Sequence, residues 1–335
     1  MVGGEGKKLA LEDRVIVPLI TPINPDGFLE MDAVKALCSH VSVAGINALI
    51  LIGRTGGMEY ANNATRFSMT EAVKQHFDGK ILLCVGSSAT TAWSNWGPYV
   101  GKSRVMDNIT WARHLEVDGI VVPSLFYSPE THDDVPEDHT IEIYFADVVK
   151  KAKEANLPVM LYNNPAMTGM HIPLWLVAEL AADEWVIGIK DSSGDMDYFS
   201  GLMDIKSGNG WFMVYQGDES RIAGSIAMGA DGAVPSIANV FPRLLADFVG
   251  SPTARMQEKV NILGDAVYCG REKHYKMVAG ITYALGLNGV YKSPDYLKQS
   301  ALTPEEKSNI EACVGSFFLP DPDEQDGCCK VEELQ

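Results

Sequence analysis

The sequence of 335 residues contains no long apolar run. None of its hydrophobic stretches approaches the ~18 residues that a membrane-spanning helix requires. The first residues, MVGGEGKKLALEDR, also lack the apolar segment of a secretory signal. We therefore expect a soluble, cytoplasmic protein that does not bind a membrane.

Basic residues are also scarce. The chain has 27 lysines and arginines against 44 aspartates and glutamates, which gives a net charge of -17 and an isoelectric point near 4.8. A nucleic-acid backbone is bound by clusters of lysine and arginine, and the sequence shows no such cluster. We therefore expect no nucleic-acid partner.

Cysteine and histidine are too few and too scattered to suggest a metal centre. The six cysteines and seven histidines show no spacing typical of metal ligands, so we expect reduced thiols and no metal. A G-x-G-x-x-G turn is missing as well: Thr21, Pro22 and Ile23 follow the first apolar run instead. The lysine chemistry considered below needs neither a metal nor an organic cofactor, so we predict no cofactor.

Short apolar runs alternate regularly with segments of helical periodicity. Fully apolar strands that alternate with helices are typical of a parallel sheet covered on both faces, and eight such units predict an α/β fold of the (β/α)8 TIM-barrel class. A doubly wound open sheet is the alternative, which the missing glycine-rich turn disfavours. The predicted strands are 15–20, 48–52, 81–85, 119–122, 159–162, 186–189, 212–215 and 232–234.

The strand pattern stops near residue 250, and only helical patterns follow it. We predict a barrel over residues 12–250 and a C-terminal helical appendage over residues 251–320, with flexible segments at 1–11 and 321–335. Residues 92–108 are rich in aromatics and irregular in pattern. They predict a non-helical insertion after the third strand, serving as a lid or as a subunit contact.

Lys190 stands between an apolar run and a polar stretch. The run 185–189 predicts a buried strand, and residues 191–195 predict a loop, so the lysine lies at the strand's C-terminal mouth. Apolar walls disfavour the charged ammonium and free the amine as a nucleophile for a carbonyl carbon. The alternative is a strand-end lysine whose amine reaches solvent.

Other predicted strand ends carry groups that suit the same chemistry. Tyr162 ends the strand before that of Lys190, and a cationic amine nearby would stabilise its anion for proton transfer. The glycine turn after the second strand, with the Thr55 hydroxyl, can hold a carboxylate. We interpret Asp191 and Asp195 as loop-capping carboxylates and Asp218 as a helix N-cap.

Six segments resemble, in order and spacing, the dihydrodipicolinate synthase and N-acetylneuraminate lyase family: VPLITPINPDG, LIGRTGG, VMLYNNPAMTG, VIGIKDSSGD, YQGDE and GADGAVPSIAN. The resemblance spans the predicted barrel. It implies that Lys190 is the Schiff-base lysine, that Tyr162 transfers protons, and that Thr55 with Gly56 forms a carboxylate pocket. It also implies that Val234 lies beside the imine and that the protein is a homodimer or homotetramer.

The chain departs from the family's pattern in ways that bear on its substrate. Arg54 and Gly57 replace a hydroxyl residue and a glutamate in the turn after the second strand, which removes the middle member of a proton relay. Phe126 or Tyr127 occupies the place of a tyrosine that the synthases donate across a subunit interface. Met167 stands where the synthases carry an arginine for the aldehyde's carboxylate, so we predict a poor lysine-pathway synthase.

The residues leave three functions open. The first is a class I aldolase, in which Lys190 forms a Schiff base with pyruvate or another 2-oxo acid and a C–C bond is cleaved or formed. The second is a hydro-lyase that removes water from a 2-keto-3-deoxy sugar acid through the same imine. The third is a family member without catalysis that serves as a binding protein. Two roles are also open for Arg54: its side chain binds the substrate, or it turns outward to Glu59.

Overall fold

Eight parallel strands, each paired with the next along the chain, form the centre of the molecule. The computed structural model describes residues 11, 14–24, 26–58, 61–86, 98–125, 138–269, 274–290 and 302–317. Apart from Lys80 and Met213, every strand residue is buried, as expected for a sheet covered on both faces. The strands are β1 (Val17–Pro18), β2 (Ala48–Leu51), β3 (Lys80–Cys84), β4 (Gly119–Pro123), β5 (Val159–Asn163), β6 (Val186–Asp191), β7 (Met213–Gln216) and β8 (Gly232–Ala233).

The sheet closes into a barrel where the chain before β1 meets β8. Val15 forms a parallel bridge with Ala233. The N–H of Ile16 donates to the Ala233 carbonyl at 3.0 Å, and the N–H of Ala233 donates to the Arg14 carbonyl at 2.8 Å. We call this junction, residues 14–16 with β8, the seam. The predicted (β/α)8 barrel is therefore confirmed.

Helices surround the barrel and bury one apolar face each. In the first of them, Val34, Leu37, Cys38 and Val41 are buried at the three- and four-residue spacing of a helix face. The helices are α1 (Met31–Val43), α2 (Asn63–His76), α3 (Pro98–His114), α4 (Asp138–Ala155), α5 (Pro165–Thr168), α6 (Leu174–Ala181), α7 (Met196–Ser207), α8 (Ile222–Ala227), α9 (Pro242–Gly250), α10 (Ala254–Tyr268), α11 (His274–Leu287) and α12 (Pro304–Phe317). Two 3₁₀ turns, Glu219–Arg221 and Ser236–Asn239, follow β7 and β8.

The segment after β3 differs from the prediction. Residues 98–108, expected to be a non-helical insertion, belong to α3. Its buried residues Val105, Ile109 and Ala112 are spaced four and three apart, which is a helical pattern that the neighbouring aromatic and glycine residues obscured. Residues 92–97 lie outside the described part of the chain.

The predicted helical appendage is confirmed by α10, α11 and α12, which pack against one another. α10 also contacts the 3₁₀ turn Glu219–Arg221 of the barrel. The division at residue 250 stays a prediction, and the terminal segments predicted to be flexible lie outside the described residues apart from Leu11. None of the helices described above is both long and apolar enough to cross a membrane.

Candidate active site

Lys190 and Tyr162 are neighbours because β5 and β6 pair in register. The Cα atoms of the two residues are direct partners across the two strands. Both side chains are buried, with 7% of Lys190 and 3% of Tyr162 exposed. The Lys190 Nζ lies 4.5 Å from the centroid of the Tyr162 ring, a distance at which an ammonium is attracted by the ring's face. The amine is thus inside the protein and against the face of the tyrosine ring.

A third residue of this group, Asn164, orients the tyrosine. Its Nδ2 donates a hydrogen bond to the Tyr162 hydroxyl oxygen at 2.9 Å. Its Oδ1 accepts from the backbone N–H of Met167 at 3.2 Å, because Asn164 is the N-cap of α5. A donor to the phenolic oxygen stabilises negative charge there and leaves the phenol's own proton free for transfer. The sequence showed Asn164 only as a strand-end residue.

The Lys190 amine opens into a cavity of about 200 Å³ at the C-terminal ends of the strands. Four of the predicted site residues lie in its wall: Lys190, Tyr162, Thr55 and Arg54. The wall also contains residues to which the sequence analysis gave no part in the site, namely Asn164, Ala166, Ser192, Ser236, Tyr268 and Met277. Tyr268 and Met277 come from α10 and α11, so the C-terminal helices contribute to the cavity.

Three predicted substrate-binding residues do not line this cavity. Gly56 shapes the turn after β2: its carbonyl accepts from the Thr21 hydroxyl at 2.6 Å, and a Cβ there would meet the Leu19 carbonyl at 2.8 Å. Val234 is buried with 1% of its surface exposed, and Met167 is half-buried against the core. Their proposed contacts with substrate stay predictions.

Gly217, at the end of β7, provides the space that the lysine side chain occupies. A Cβ at this position would lie 2.9 Å from the Lys190 Cε and 2.1 Å from the Ser192 Oγ. The Gly217 N–H donates to the Asp191 carbonyl at 2.6 Å, which fixes the backbone close to β6. Any larger residue here would require the side chains of Lys190 and Ser192 to move, and the GDE sequence after the seventh strand was the signal for this glycine.

Thr55 is held by Ser236, three residues after the eighth strand. Its Oγ1 lies 2.7 Å from the Ser236 Oγ, within hydrogen-bond distance. Thr55 belongs to the turn 53–57, in which Gly57 donates its N–H to the Arg54 carbonyl at 3.0 Å and has a left-handed φ of +74°. Glycine adopts that conformation without strain, which accounts locally for the departure from the family's glutamate at this position.

Glu219 is a buried carboxyl group at the edge of the same cavity. Its Oε1 accepts hydrogen bonds from the Ser236 N–H at 2.5 Å, the Ile237 N–H at 3.3 Å and the Tyr268 hydroxyl at 2.6 Å. Burial raises the pKa of Glu219 above its ordinary value, and these hydrogen bonds oppose the rise. The neighbouring Asp218 adds to the rise through like-charge repulsion.

The acidic residues near Lys190 cap the loops, as predicted. Asp195 is the N-cap of α7 and accepts from the N–H groups of Asp197 and Tyr198. Asp218 is the N-cap of the 3₁₀ turn Glu219–Arg221 and accepts from the Ser220 N–H at 2.9 Å.

Asp191 is fully buried below the cavity. Its carboxylate accepts from the Asn163 amide at 2.6 Å and the Ser193 hydroxyl at 2.9 Å. Burial raises its pKa, whereas these hydrogen bonds and the nearby His171 lower it. It therefore anchors the loop after Lys190.

Two predicted assignments cannot be placed. Phe126 and Tyr127, one of which was expected in the position of the cross-subunit tyrosine, lie outside the described residues. So does Glu59, the expected outward neighbour of Arg54.

The molecule is a (β/α)8 barrel with a buried lysine on its sixth strand and a tyrosine on its fifth. Comparison with known proteins identifies the family of such barrels to which it belongs. The model of the dihydrodipicolinate synthetase family matches residues 12–312, and the chain belongs to that family. Its named relatives are synthases, so the chain is a member of a lyase family.

Individual relatives and solved structures are similar to the chain at moderate identity. It is 28% identical over 237 residues to the 4-hydroxy-tetrahydrodipicolinate synthase of Corynebacterium aurimucosum, covering 70% of each chain. It is 26% identical over 313 residues to 4-hydroxy-tetrahydrodipicolinate synthase 2 of Streptomyces coelicolor, covering 89% of this chain and 93% of the relative.

Among crystal structures, that of YagE shares the fold. YagE is a prophage protein of the dihydrodipicolinic acid synthase family from E. coli K12, and its structure is a complex with pyruvate. The TM-score is 0.79 at 22% identity, covering 93% of this chain and 100% of that one. At this identity, the likeness supports the fold alone.

Proposed function

We propose that the protein is a class I lyase that forms a Schiff base between Lys190 and pyruvate or another 2-oxo acid. The observation that carries this proposal is the Lys190 amine itself. It is almost fully buried, lies against the Tyr162 ring at 4.5 Å and opens into the cavity. A buried amine that faces a cavity is placed to attack a carbonyl carbon.

The reaction follows from these groups. The neutral amine adds to the C2 carbonyl of the 2-oxo acid, and the carbinolamine loses water to give an iminium ion. In a substrate with a hydroxyl group on C4, that hydroxyl gives up its proton while the C3–C4 bond breaks. The iminium ion accepts the electron pair of the bond, so that an aldehyde leaves and an enamine stays on Lys190. Protonation at C3 and hydrolysis release the shortened 2-oxo acid, and Tyr162 transfers the protons.

The carboxylate of the 2-oxo acid would bind at the turn 53–57. Backbone N–H groups of such a turn attract an anion, and the Thr55 hydroxyl, held by Ser236, completes the pocket. Arg54 in the cavity wall is proposed to bind a second carboxylate or hydroxyl groups of the substrate. Met167 cannot replace a guanidinium, which argues against an efficient lysine-pathway synthase.

A hydro-lyase that acts on hydroxylated 2-oxo acids is the second candidate. The cavity wall contains the hydroxyl groups of Ser192 and Ser236 and the carboxylate of Asp218. Such groups suit a substrate with several hydroxyls better than an apolar one. Incubation with 2-keto-3-deoxy sugar acids separates the two reactions: an aldolase releases pyruvate, whereas a hydro-lyase releases water and keeps the carbon chain intact.

Reductive trapping tests the Schiff base. The protein is incubated with pyruvate and sodium borohydride, and the adduct is found by intact mass and located by peptide mapping. We expect one adduct, at Lys190, and its loss in Lys190→Arg, with a fall in turnover on the order of a thousandfold or more. Lys80→Arg, at the exposed start of β3, is the matched control. An unmodified Lys190 with pyruvate and with other 2-oxo acids contradicts the proposal and favours a binding protein.

We also propose that the protein is a homodimer or homotetramer. The proposal follows from family membership, since the synthases share a residue across a subunit interface. Analytical ultracentrifugation of the full chain tests it: a single monomeric species across micromolar concentrations would contradict it.

A further inference from the structure

α10, the first helix of the C-terminal region, is hydrogen-bonded to the 3₁₀ turn that contains Glu219. Gln257 Nε2 donates to the Glu219 carbonyl at 2.7 Å, and Gln257 Oε1 accepts from the Ala223 N–H at 2.9 Å. Tyr268, three helical turns further along α10, donates its hydroxyl to the Glu219 carboxyl group at 2.6 Å. One face of α10 therefore holds both the backbone and the side chain of Glu219.

From Glu219 the hydrogen bonds continue into the turn that binds substrate in the proposed function. The carboxyl oxygen accepts from the backbone N–H groups of Ser236 and Ile237, at the start of the 3₁₀ turn after β8. The Ser236 hydroxyl then contacts the Thr55 hydroxyl at 2.7 Å. An unbroken series of contacts thus runs from α10 to Thr55, and we call it the α10 relay: Tyr268, Glu219, Ser236 and Thr55.

The positions of these groups argue against a role in packing alone. Glu219 is 8% exposed and Tyr268 is 4% exposed. Burying a carboxyl group and a phenol costs free energy that an apolar pair of similar shape would avoid. Three donors converge on a single oxygen of Glu219, as expected of a group that fixes its neighbours. All four members of the α10 relay also line the cavity.

We propose that Tyr268 and Glu219 are positioning residues for the carboxylate pocket, and that α10 is therefore part of the catalytic unit. They hold Ser236 and, through its hydroxyl, set the direction in which Thr55 presents its own hydroxyl to the substrate's carboxylate. This inference rests on the proposed function, because it requires a 2-oxo acid bound at the turn 53–57. Tyr268 acts through Glu219 and does not itself touch the reacting atoms.

The test compares two substitutions that each remove one buried phenol. Tyr268→Phe removes the hydroxyl that bonds Glu219 and keeps the ring. Tyr144→Phe is the matched control, since the Tyr144 hydroxyl is also buried and donates to the Pro123 carbonyl at 3.0 Å without lining the cavity. Both variants are made in the full chain, and pyruvate is the probe. The readouts are the pyruvate concentration for half-maximal borohydride trapping, and KM and kcat for the substrate found by profiling.

We expect Tyr268→Phe to raise the half-saturating pyruvate concentration and KM by roughly tenfold, with a smaller change in kcat. Tyr144→Phe is expected to match the parent. Glu219→Gln keeps an oxygen that can accept the same three hydrogen bonds, so it should trap pyruvate at a concentration close to that of the parent. Glu219→Ala, which removes the acceptor, should behave like Tyr268→Phe.

The pH profile of trapping adds a readout that a purely structural role would not change. Removing the Tyr268 donor removes an interaction that lowers the pKa of Glu219, so the part of the profile governed by this carboxyl group should move to higher pH. The other titratable or charged groups that face the cavity in the described residues are Asp218, Lys190, Arg54 and Tyr162. None of these is changed in Tyr268→Phe, and the Gln variant should lose the Glu219-dependent part.

The outcomes separate this inference from the proposed function. If the parent protein traps no 2-oxo acid, the proposed function fails first. If the parent traps pyruvate while Tyr268→Phe and Glu219→Ala keep the parent's half-saturating concentration and pH profile, the function stands and the positioning role is wrong. Equal losses in Tyr268→Phe and Tyr144→Phe would also overturn it, because the effect would then be general. Should Tyr268→Phe fold poorly, the contrast between Glu219→Gln and Glu219→Ala decides.

Discussion

On the β5–β6 side of the cavity, Lys190 and Tyr162 lie together because two adjacent strands pair in register. The side of the cavity proposed to bind the substrate's carboxylate, which we call the carboxylate side, is assembled differently. Thr55 comes after β2 and Ser236 after β8, and the Glu219 carboxyl group that holds Ser236 is bonded to Tyr268 of α10, outside the barrel. The first arrangement needs only the backbone ladder of the sheet, whereas the second needs side-chain contacts between distant segments. In the proposed function, the barrel alone would therefore fix the reactive groups, while the C-terminal helices would help to fix the hydroxyl group that orients the substrate.

The largest effect should come from the lysine side. Tyr162→Phe is expected to lower kcat about 100-fold, because proton transfer is lost while substrate binding is kept. Tyr215 pairs with Lys190 from the other neighbouring strand and is fully buried, so Tyr215→Phe is the matched control. Steady-state kinetics at saturating substrate measure both. Equal losses in the two variants would mean that the phenol of Tyr162 has no special role.

A change in the space around the lysine should have the next largest effect. In Gly217→Ala the new methyl group would meet the Lys190 Cε and the Ser192 Oγ, so we expect the trapping rate to fall by roughly 10- to 100-fold. Gly210→Ala, whose Cβ would meet nothing within 4 Å, is the control for glycine replacement before β7. A normal trapping rate in Gly217→Ala would show that the reactivity of Lys190 does not depend on the space that Gly217 leaves for its side chain.

Arg54 tests whether the carboxylate side also determines which substrate is accepted. Arg54→Ala should raise KM about tenfold for 2-oxo acids that carry a second carboxylate or several hydroxyls, since a charge-assisted hydrogen bond is lost. The value for pyruvate alone serves as the internal control and should stay unchanged. If no accepted substrate shows a changed KM, Arg54 does not contact the substrate, and other residues of the cavity determine which substrate binds.

The smallest effect concerns how the protein's free energy of unfolding changes with pH because of Glu219. Burial raises the pKa of Glu219 in the folded protein, so the unfolded chain releases this proton at a lower pH than the folded one. Stability that is complete below the ordinary glutamate pKa, about 4, is therefore lost as pH rises through the folded value. Relative to Glu219→Gln, the parent's free energy of unfolding should fall over that range. Parallel curves in chemical denaturation would mean that the carboxyl group titrates alike in both states.

The same contrast explains what could be predicted from the sequence. The proximity of Lys190 and Tyr162 could be predicted because each ends an apolar run, and successive parallel strands place such ends side by side. The strand-end glycines and capping aspartates also have local signals. Tyr268 has none: its contact with Glu219 spans 49 residues, and in the sequence it is one more buried residue in a helical pattern. Such contacts depend on how the appendage packs, which periodicity does not encode.

One local pattern was also misinterpreted. Residues 98–108 contain aromatic and glycine residues that weaken a helical pattern, yet Val105, Asn108 and Ile109 lie on the buried face of α3. Asn108 also ties this helix to the barrel, because its side chain donates to the Val85 carbonyl at 3.0 Å beyond the end of β3. Tertiary packing outweighed weak helix propensity.

The seam, where the chain before β1 meets β8, lies next to one part of the site and far from another. Ser236 lies three residues after β8, and nearby Asn239 accepts from the Ile20 N–H across a separation of 219 residues. The contact between Lys190 and Tyr162 depends on two adjacent strands alone, whereas the contact between Thr55 and Ser236 joins the two ends of the chain's path around the barrel. In the proposed function, a change that loosens the closure of the barrel would therefore weaken substrate selection before it disturbs the nucleophile.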